Sequence, residues 1–173
     1  LLDPMRGRWR PRAKAPRLVS SGSTLTTLHD GRLLLVDPMG LTFAYFPGHD
    51  VWVPFEPLPN TPGQDPIVAR LSDGRVLLCV RKTTETYVHY PTGGWLPLGL
   101  APMPSFWNSA WVRLAAGLLW VSGGADLFQN AHSQTAIFDP STLGWRAGPA
   151  LLHPRRGHTA TRLGSDRILL HGP

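Results

Sequence analysis

Short apolar runs, each about as long as one β-strand, recur along the whole chain. Examples are LLLV at residues 33–36 and LLWV at residues 118–121. Eighteen glycines and eighteen prolines separate these runs instead of collecting in one tail. This pattern predicts many short strands joined by frequent turns, and it excludes a helical bundle. Since no run approaches the ~20 residues of a membrane helix, we expect no membrane span.

The chain repeats itself at a nearly constant spacing. Four of its seven tryptophans are separated by 43, 43 and 50 residues: Trp9, Trp52, Trp95 and Trp145. A proline or tyrosine stands five residues before each of them, at Pro4, Pro47, Tyr90 and Pro140. A leucine keeps the same period, at Leu28, Leu71, Leu114 and Leu163. Three markers with one period predict a repeat architecture.

A tight turn and an apolar strand follow each leucine marker. The turns are Asp30-Gly31-Arg32, Asp73-Gly74-Arg75, Ala116-Gly117-Leu118 and Ser165-Asp166-Arg167. An Asp-Gly pair supplies the positive φ angles of a hairpin, so the turns predict that the first two strands of each unit pair. A four-stranded unit of this size cannot bury both faces alone, and we expect the units to stack radially as blades. The repeated tryptophan is then a packing residue of the outer strand.

The chain from about residue 111 onward resembles the kelch repeat as it occurs in bacterial proteins. The segments that carry the resemblance are AIFDPSTLGW at residues 136–145, PRRGHTAT at 154–161, RILLHG at 167–172, and LWVSGG with its double glycine at 119–124. Earlier copies depart from the pattern, since Asp37-Pro38 and Val80-Arg81 stand where the glycine pair belongs. The resemblance implies an all-β, kelch-like β-propeller of four-stranded antiparallel blades. Kelch rings usually close with about six or seven blades, so we expect a segment of a larger ring.

The repeat divides the chain into five ranges. Residues 1–14 are expected to end a preceding blade, 18–56, 64–99 and 106–148 to form three blades, and 156–173 to form the first half of a further blade. In the third copy, strands are expected at 108–114, 117–122, 133–138 and 143–147. A four-bladed ring closed by the N-terminal strand is the alternative. An open segment would expose apolar sheet faces and self-associate.

The formal net charge of +6 is concentrated at the N-terminus, where residues 1–17 carry +5. Nucleic-acid sites interleave basic side chains with several aromatic ones. This stretch offers only Trp9, and we expect no nucleic-acid partner. Arg8, Arg10 and Arg12 are expected to alternate with Trp9 along the outermost strand, with the arginines on one face and Trp9 on the other. Charge on that edge discourages edge-to-edge pairing.

No residue pattern typical of a catalytic or metal centre stands out. The seven histidines lack the spacing of a zinc site, and no nucleophile elbow is present. Cys79 lies in an apolar run, which makes it a poor candidate for the tyrosine-cysteine centre of kelch-type copper oxidases. We expect no metal and no cofactor. The alternative is part of a kelch-type oxidase or sugar-modifying enzyme whose catalytic residues lie mostly outside this segment.

One stretch breaks the repeat, and it is the candidate binding site. The loop at residues 123–132 supplies most of the extra residues of the third period, and Phe106, Trp107 and Arg156 are expected beside it. The candidate binding residues are Phe106, Trp107, Asp126, Phe128, Gln129, Asn130, His132 and Arg156. Exposed aromatic and arginine side chains are typical of interface centres, whereas Trp107 could instead fill the space between blades.

These observations predict a non-catalytic binding module with a protein or glycan partner. The kelch resemblance is compatible with an extracellular or cell-surface location, and the compartment stays open.

Overall fold

The computed structural model describes residues 2–16, 22–59, 66–164 and 167–173. These residues contain β-strands and one short 3₁₀ turn, Ala115–Gly117, but no α-helix. The strands are β1 (Leu2–Asp3), β2 (Arg8–Trp9), β3 (Thr24–Thr27), β4 (Leu33–Val36), β5 (Thr42–Phe46), β6 (Val51–Pro54), β7 (Pro66–Arg70), β8 (Val76–Val80), β9 (Glu85–His89), β10 (Trp95–Leu100), β11 (Ala110–Arg113), β12 (Leu119–Ser122), β13 (Thr135–Asp139), β14 (Gly144–Ala147), β15 (Thr159–Leu163) and β16 (Arg167–His171).

The strands form three four-stranded sheets and two hairpins. Strands β3 to β6, β7 to β10 and β11 to β14 are each ordered as in the sequence, and we call these sheets blades A, B and C. All neighbouring strands within them are antiparallel. Strands β15 and β16 form a hairpin, half-blade D, and β1 pairs with β2. The predicted all-β architecture of four-stranded antiparallel blades is confirmed.

The first two strands of blades A and B are joined by similar turns. Gly31 and Gly74 adopt φ angles of 87° and 90°, which an L side chain rarely tolerates. The Asp30 carboxylate accepts a hydrogen bond from the Arg32 amide at 3.1 Å, which fixes the turn beside the glycine. Of the expected features, Leu1, Arg17 and the Ser165-Asp166 part of the last turn lie outside the described residues.

Strand β8 is buried along its whole length because blades cover both of its faces. Val76, Leu78 and Val80 pack against blade A, whereas Leu77 and Cys79 pack against blade C. Alternate side chains of a strand point to opposite faces, so a continuous apolar run is what a strand between two blades requires. Each such side chain contributes about 1.5 to 3 kcal/mol when fully buried.

The repeated tryptophans of blades A, B and C occupy equivalent positions in their outer strands. Each pairs with the last or next-to-last residue of the third strand: Trp52 with Tyr45, Trp95 with His89, and Trp145 with Phe138. Trp95 packs on the core shared with blade A, and Trp145 packs on the core shared with blade B. The expectation of a packing tryptophan therefore holds for these two contacts between blades.

Trp9 departs from that pattern. Its side chain is 77% exposed, because β2 pairs only with the two residues of β1 and no described blade covers it. The described residues contain no blade that precedes β2, so the packing of Trp9 between blades stays a prediction. Strand β2 also ends at Trp9, so Arg10 and Arg12 lie beyond the strand on which they were expected to alternate with Trp9.

Candidate functional site

The loop at residues 123–132 begins with a glycine pair that passes between two backbone segments. Gly123 and Gly124 adopt φ angles of 53° and 119°. A Cβ atom on Gly124 would lie 2.7 Å from the Trp107 carbonyl oxygen, and one on Gly123 would collide with the carbonyl oxygen of Arg155. Glycine is therefore required twice in succession, for its conformation and for the close approach. The glycine pair thus allows the base of the loop to pack closely against the backbone of Trp107 and Arg155.

Backbone hydrogen bonds connect the loop to the segments before and after blade C. The Gly124 amide donates to the Arg155 carbonyl oxygen at 2.8 Å, and the Ala125 amide donates to that of Trp107 at 2.8 Å. The His132 amide returns to the Gly124 carbonyl oxygen at 3.0 Å. The loop, the connection between blades B and C, and the connection to half-blade D thus form one unit.

Asp126 fixes the tip of the loop. Its carboxylate accepts hydrogen bonds from the amides of Phe128 at 2.8 Å and Asn130 at 2.9 Å, and from the Asn130 side-chain nitrogen at 3.1 Å. The hydrogen bonds from the Asn130 backbone and side chain lower the pKa of Asp126. Gln129 adopts a positive φ of 66° between them. The tip has a defined conformation within the loop itself.

Arg156, in the connection between β14 and β15, donates hydrogen bonds to the tip of the loop. Its Nη1 atom donates to the backbone carbonyl oxygen of Gln129 and lies 3.5 Å from the Gln129 side-chain oxygen. Leu127 and Phe128, between these polar contacts, are 65% and 85% exposed. The result is an apolar tip that is held in place and faces solvent.

Trp107 lies at the base of the loop and is half-buried. Its amide donates to the Ser105 hydroxyl at 3.1 Å, and that hydroxyl donates to the Ala125 carbonyl oxygen. The Lys82 ammonium nitrogen lies 6.0 Å from the centroid of the Trp107 ring, within range of a cation–π interaction. Trp107 thus joins the loop base to a cation from the loop between β8 and β9.

Two of the predicted binding residues lie in the interior instead. Phe106 is 1% exposed, and its ring centroid lies 5.2 Å from that of Trp111 and 5.8 Å from that of Trp145. His132 is buried beneath the loop. The expectation that these two side chains face a partner is wrong, because Phe106 fills the space between blades B and C and His132 packs against Gly124.

The other six predicted residues are brought together around the loop. They are Trp107, Asp126, Phe128, Gln129, Asn130 and Arg156. Sequence reasoning missed Leu127 and Lys82. The signal for Leu127 was an apolar pair, Leu127-Phe128, at the centre of an otherwise polar loop. No signal in the sequence placed Lys82 near Trp107.

Two buried histidines flank the glycine pair. The Nε2 atom of His158 lies 2.9 Å from the Ser122 hydroxyl oxygen, whereas neither ring nitrogen of His132 has a partner of good hydrogen-bond geometry among the described residues. Burial lowers the pKa of both imidazoles, although the Ser105 backbone and Asp126 act in the opposite direction on His132. Both side chains are therefore neutral at pH 7.

The described residues contain no group of three or more His, Cys, Asp or Glu side chains arranged to hold a metal ion. Cys79 is buried between blades B and C, and burial raises the pKa of its thiol well above the usual value. In the same part of the chain, no helix has the length and apolar character needed to cross a membrane.

A cavity of about 330 Å³ lies on blade A, away from the loop. Three of its lining residues, Leu33, Tyr45 and Trp52, are paired across β4, β5 and β6. In blade C the equivalent paired set packs against blade B: Leu119, Phe138 and Trp145. The residues that line the cavity thus have the strand positions that pack against the preceding blade in blade C. This argues that the cavity is a blade-packing surface and not a ligand site.

No protein-family profile matches the chain. A Kelch-like protein of Aspergillus terreus, terF, is 34% identical over 86 residues, which cover 47% of this chain and 18% of that protein. The chain thus matches less than a fifth of the length of this relative. Together with the four-stranded antiparallel blades, the similarity makes the fold class kelch-like.

Proposed function

We propose that the chain is a non-catalytic binding module that presents the loop at residues 123–132 to a protein partner. The observation that supports this most directly is the state of the loop tip. Leu127 and Phe128 are largely exposed, yet Asp126 and Arg156 hold the backbone around them. A loop ordered before binding loses less conformational entropy in a complex, which increases affinity. An exposed aromatic side chain on such a loop is suited to be an interface anchor.

The contrast between loop and blades also supports this proposal. The periodic residues Trp95 and Trp145 pack between blades, so they serve the scaffold. The loop departs from the period and places its apolar side chains in solvent. In repeat scaffolds, loops of this kind carry the binding function while the blades hold them in position.

A protein partner fits the tip better than a glycan. The tip exposes the apolar side chains of Leu127 and Phe128, and the exposed polar residues Gln129 and Asn130 follow them. An apolar centre with a polar rim is the usual composition of a protein interface.

The test is photo-crosslinking from the loop. A photoreactive phenylalanine analogue at position 128 is exposed to extract of the source organism, and the crosslinked proteins are identified and produced separately. Their affinities for the wild-type chain and for Phe128→Ser are measured by calorimetry. We expect a partner whose binding falls at least about tenfold in Phe128→Ser, the loss typical of an interface anchor.

Leu152→Ser is the matched control, because Leu152 is an equally exposed apolar residue outside the loop. The proposal is contradicted if the identified partners bind Phe128→Ser as well as the wild type, or if Leu152→Ser weakens their binding as much as Phe128→Ser does. Thermal melting of both variants checks that each remains folded.

A further inference from the structure

Two cationic side chains from outside the loop lie against it. Lys82 lies over the ring of Trp107, whose backbone pairs with Ala125 at the loop base. Arg156 donates to the carbonyl oxygen of Gln129 at the tip. The fold thus places one cation at the base of the loop and one at its tip.

Neither charge is neutralised within the part of the chain that the structure describes. The ion pairs recorded there involve other side chains, and neither Lys82 nor Arg156 has a carboxylate partner. Arg156 bonds only neutral oxygens of Gln129. Asp126, the carboxylate within the loop, already accepts three hydrogen bonds from Phe128 and Asn130. The loop therefore combines an exposed apolar tip with two cations that lack carboxylate partners, one at its base and one at its tip, while the single carboxylate of the loop is held by the backbone of the tip.

We propose that the partner segment that covers this surface is acidic: apolar side chains that receive Leu127 and Phe128, with Asp or Glu placed toward Lys82 and Arg156. This inference rests on the proposed function and adds the chemistry of the partner. Charges at the rim of an interface speed encounter and exclude partners of the wrong sign. The guanidinium of Arg156 also has a planar fork of donors that matches a carboxylate in two-point geometry.

An anionic membrane surface is the competing source of negative charge. Attachment by charge to such a surface commonly uses about four to eight basic side chains close together. Here the cations in contact with the loop or with Trp107 are two, Lys82 and Arg156, which are too few for attachment of that kind. The observations thus favour a protein segment over a lipid surface.

The experiment uses a display library of random linear peptides selected on the immobilised wild-type chain, and the affinities of the enriched peptides for the wild type and for Phe128→Ser are then compared. We expect the enriched peptides to combine apolar with acidic residues. Their affinity should fall about tenfold in Lys82→Gln and in Arg156→Gln. The affinity of the wild-type chain for these peptides should also fall as the salt concentration is raised. Arg156→Lys keeps the charge but loses the planar fork, so its affinity should lie between those of the wild type and Arg156→Gln. Arg167→Gln, on the exposed strand β16, is the matched control and should change nothing.

The outcomes separate the two proposals. Enriched peptides that need Phe128 but contain no acidic residues overturn the acidic partner and leave the proposed function standing. Peptides that bind Phe128→Ser as well as the wild type contradict the proposed function. The acidic segment is also overturned if no peptide is enriched. Binding to vesicles of phosphatidylcholine and phosphatidylserine that is lost in Lys82→Gln and Arg156→Gln, without enriched acidic peptides, assigns the surface to lipid.

Discussion

The indole nitrogen of Trp145 donates a hydrogen bond to the hydroxyl oxygen of Thr86 at 3.3 Å, across the interface between blades B and C. Trp145 lies in β14, the outermost strand of blade C, and Thr86 lies in β9 of blade B. The bond ties the outer edge of one blade to the body of the preceding one. A residue found by its spacing in the sequence thus has a specific physical role between blades.

Trp145→Ala should lower the free energy of unfolding by about 3 kcal/mol, because it removes an aromatic side chain that packs on Phe106 and Phe138. Trp145→Phe keeps most of the apolar contact and loses the hydrogen bond to Thr86, so it should cost about 1 kcal/mol. Urea unfolding followed by circular dichroism measures both values without depending on tryptophan fluorescence.

Trp9→Ala is the matched control for this prediction. Trp9 has the same place in the sequence repeat but is 77% exposed, so its removal should change the free energy of unfolding by no more than about 0.5 kcal/mol. Equal losses in Trp9→Ala and Trp145→Ala would show that the packing assigned to Trp145 is incorrect.

The blades were predictable because their signals repeat. A strand between two blades needs an apolar run, and an outer strand packed on its neighbour needs a large side chain at one register position. Trp95 and Trp145 meet these requirements at a fixed spacing. The exposure of Trp9 was not predictable in the same way, because burial depends on which other strand covers a side chain rather than on its place in the repeat.

The loop was predictable as a break in the period, but the roles of its neighbours were not. Phe106 and Trp107 are adjacent in a connection without regular periodicity, and nothing in the sequence decides which of them enters the core. The structure buries Phe106 and leaves Trp107 half-exposed. His132 is buried because the path of Gly123 and Gly124 folds the loop over it, which is a tertiary effect.

Gly124→Ala should destabilise the chain by about 3 kcal/mol or more, since the new methyl group meets the Trp107 carbonyl oxygen and the residue keeps a φ of 119°. Gly31→Ala is the control, because Gly31 has a φ of 87° but open space around the position of a Cβ. It should cost about 1 to 2 kcal/mol from conformation alone. Similar thermal and urea stabilities for the two variants would contradict the close approach at the loop base.

The free energy of unfolding should fall as the pH drops below about 6.5, the ordinary pKa of an unfolded histidine. Burial lowers the pKa of His132, His158 and His89 in the folded state, so the unfolded state binds more protons in this range. Above that pH the contribution is complete and constant. Carboxylates with lowered pKa values, such as Asp126, contribute to the pH dependence only in more acidic solution.

His132→Leu tests whether His132 contributes to this pH dependence. The substitution introduces an apolar side chain of similar size and removes two ring nitrogens without good partners. We expect a shallower decline of stability between about pH 6.5 and pH 5, with part of the slope left by His158 and His89. Urea unfolding at a series of pH values measures the slope. His153→Leu, an exposed histidine in the connection after blade C, is the control, and a slope that changes equally in both variants would refute the role of His132.

Asp126→Ala should loosen the loop tip while leaving the blades intact. The amides of Phe128 and Asn130 lose their shared carboxylate acceptor, so their hydrogen exchange should become about tenfold faster. Asp139→Ala removes a similar carboxylate from the turn before β14, where it accepts from the Ser141 amide at 2.8 Å, and should speed exchange only there. Because the proposed function depends on a tip ordered before binding, unchanged exchange at Phe128 and Asn130 in Asp126→Ala would remove its main structural support.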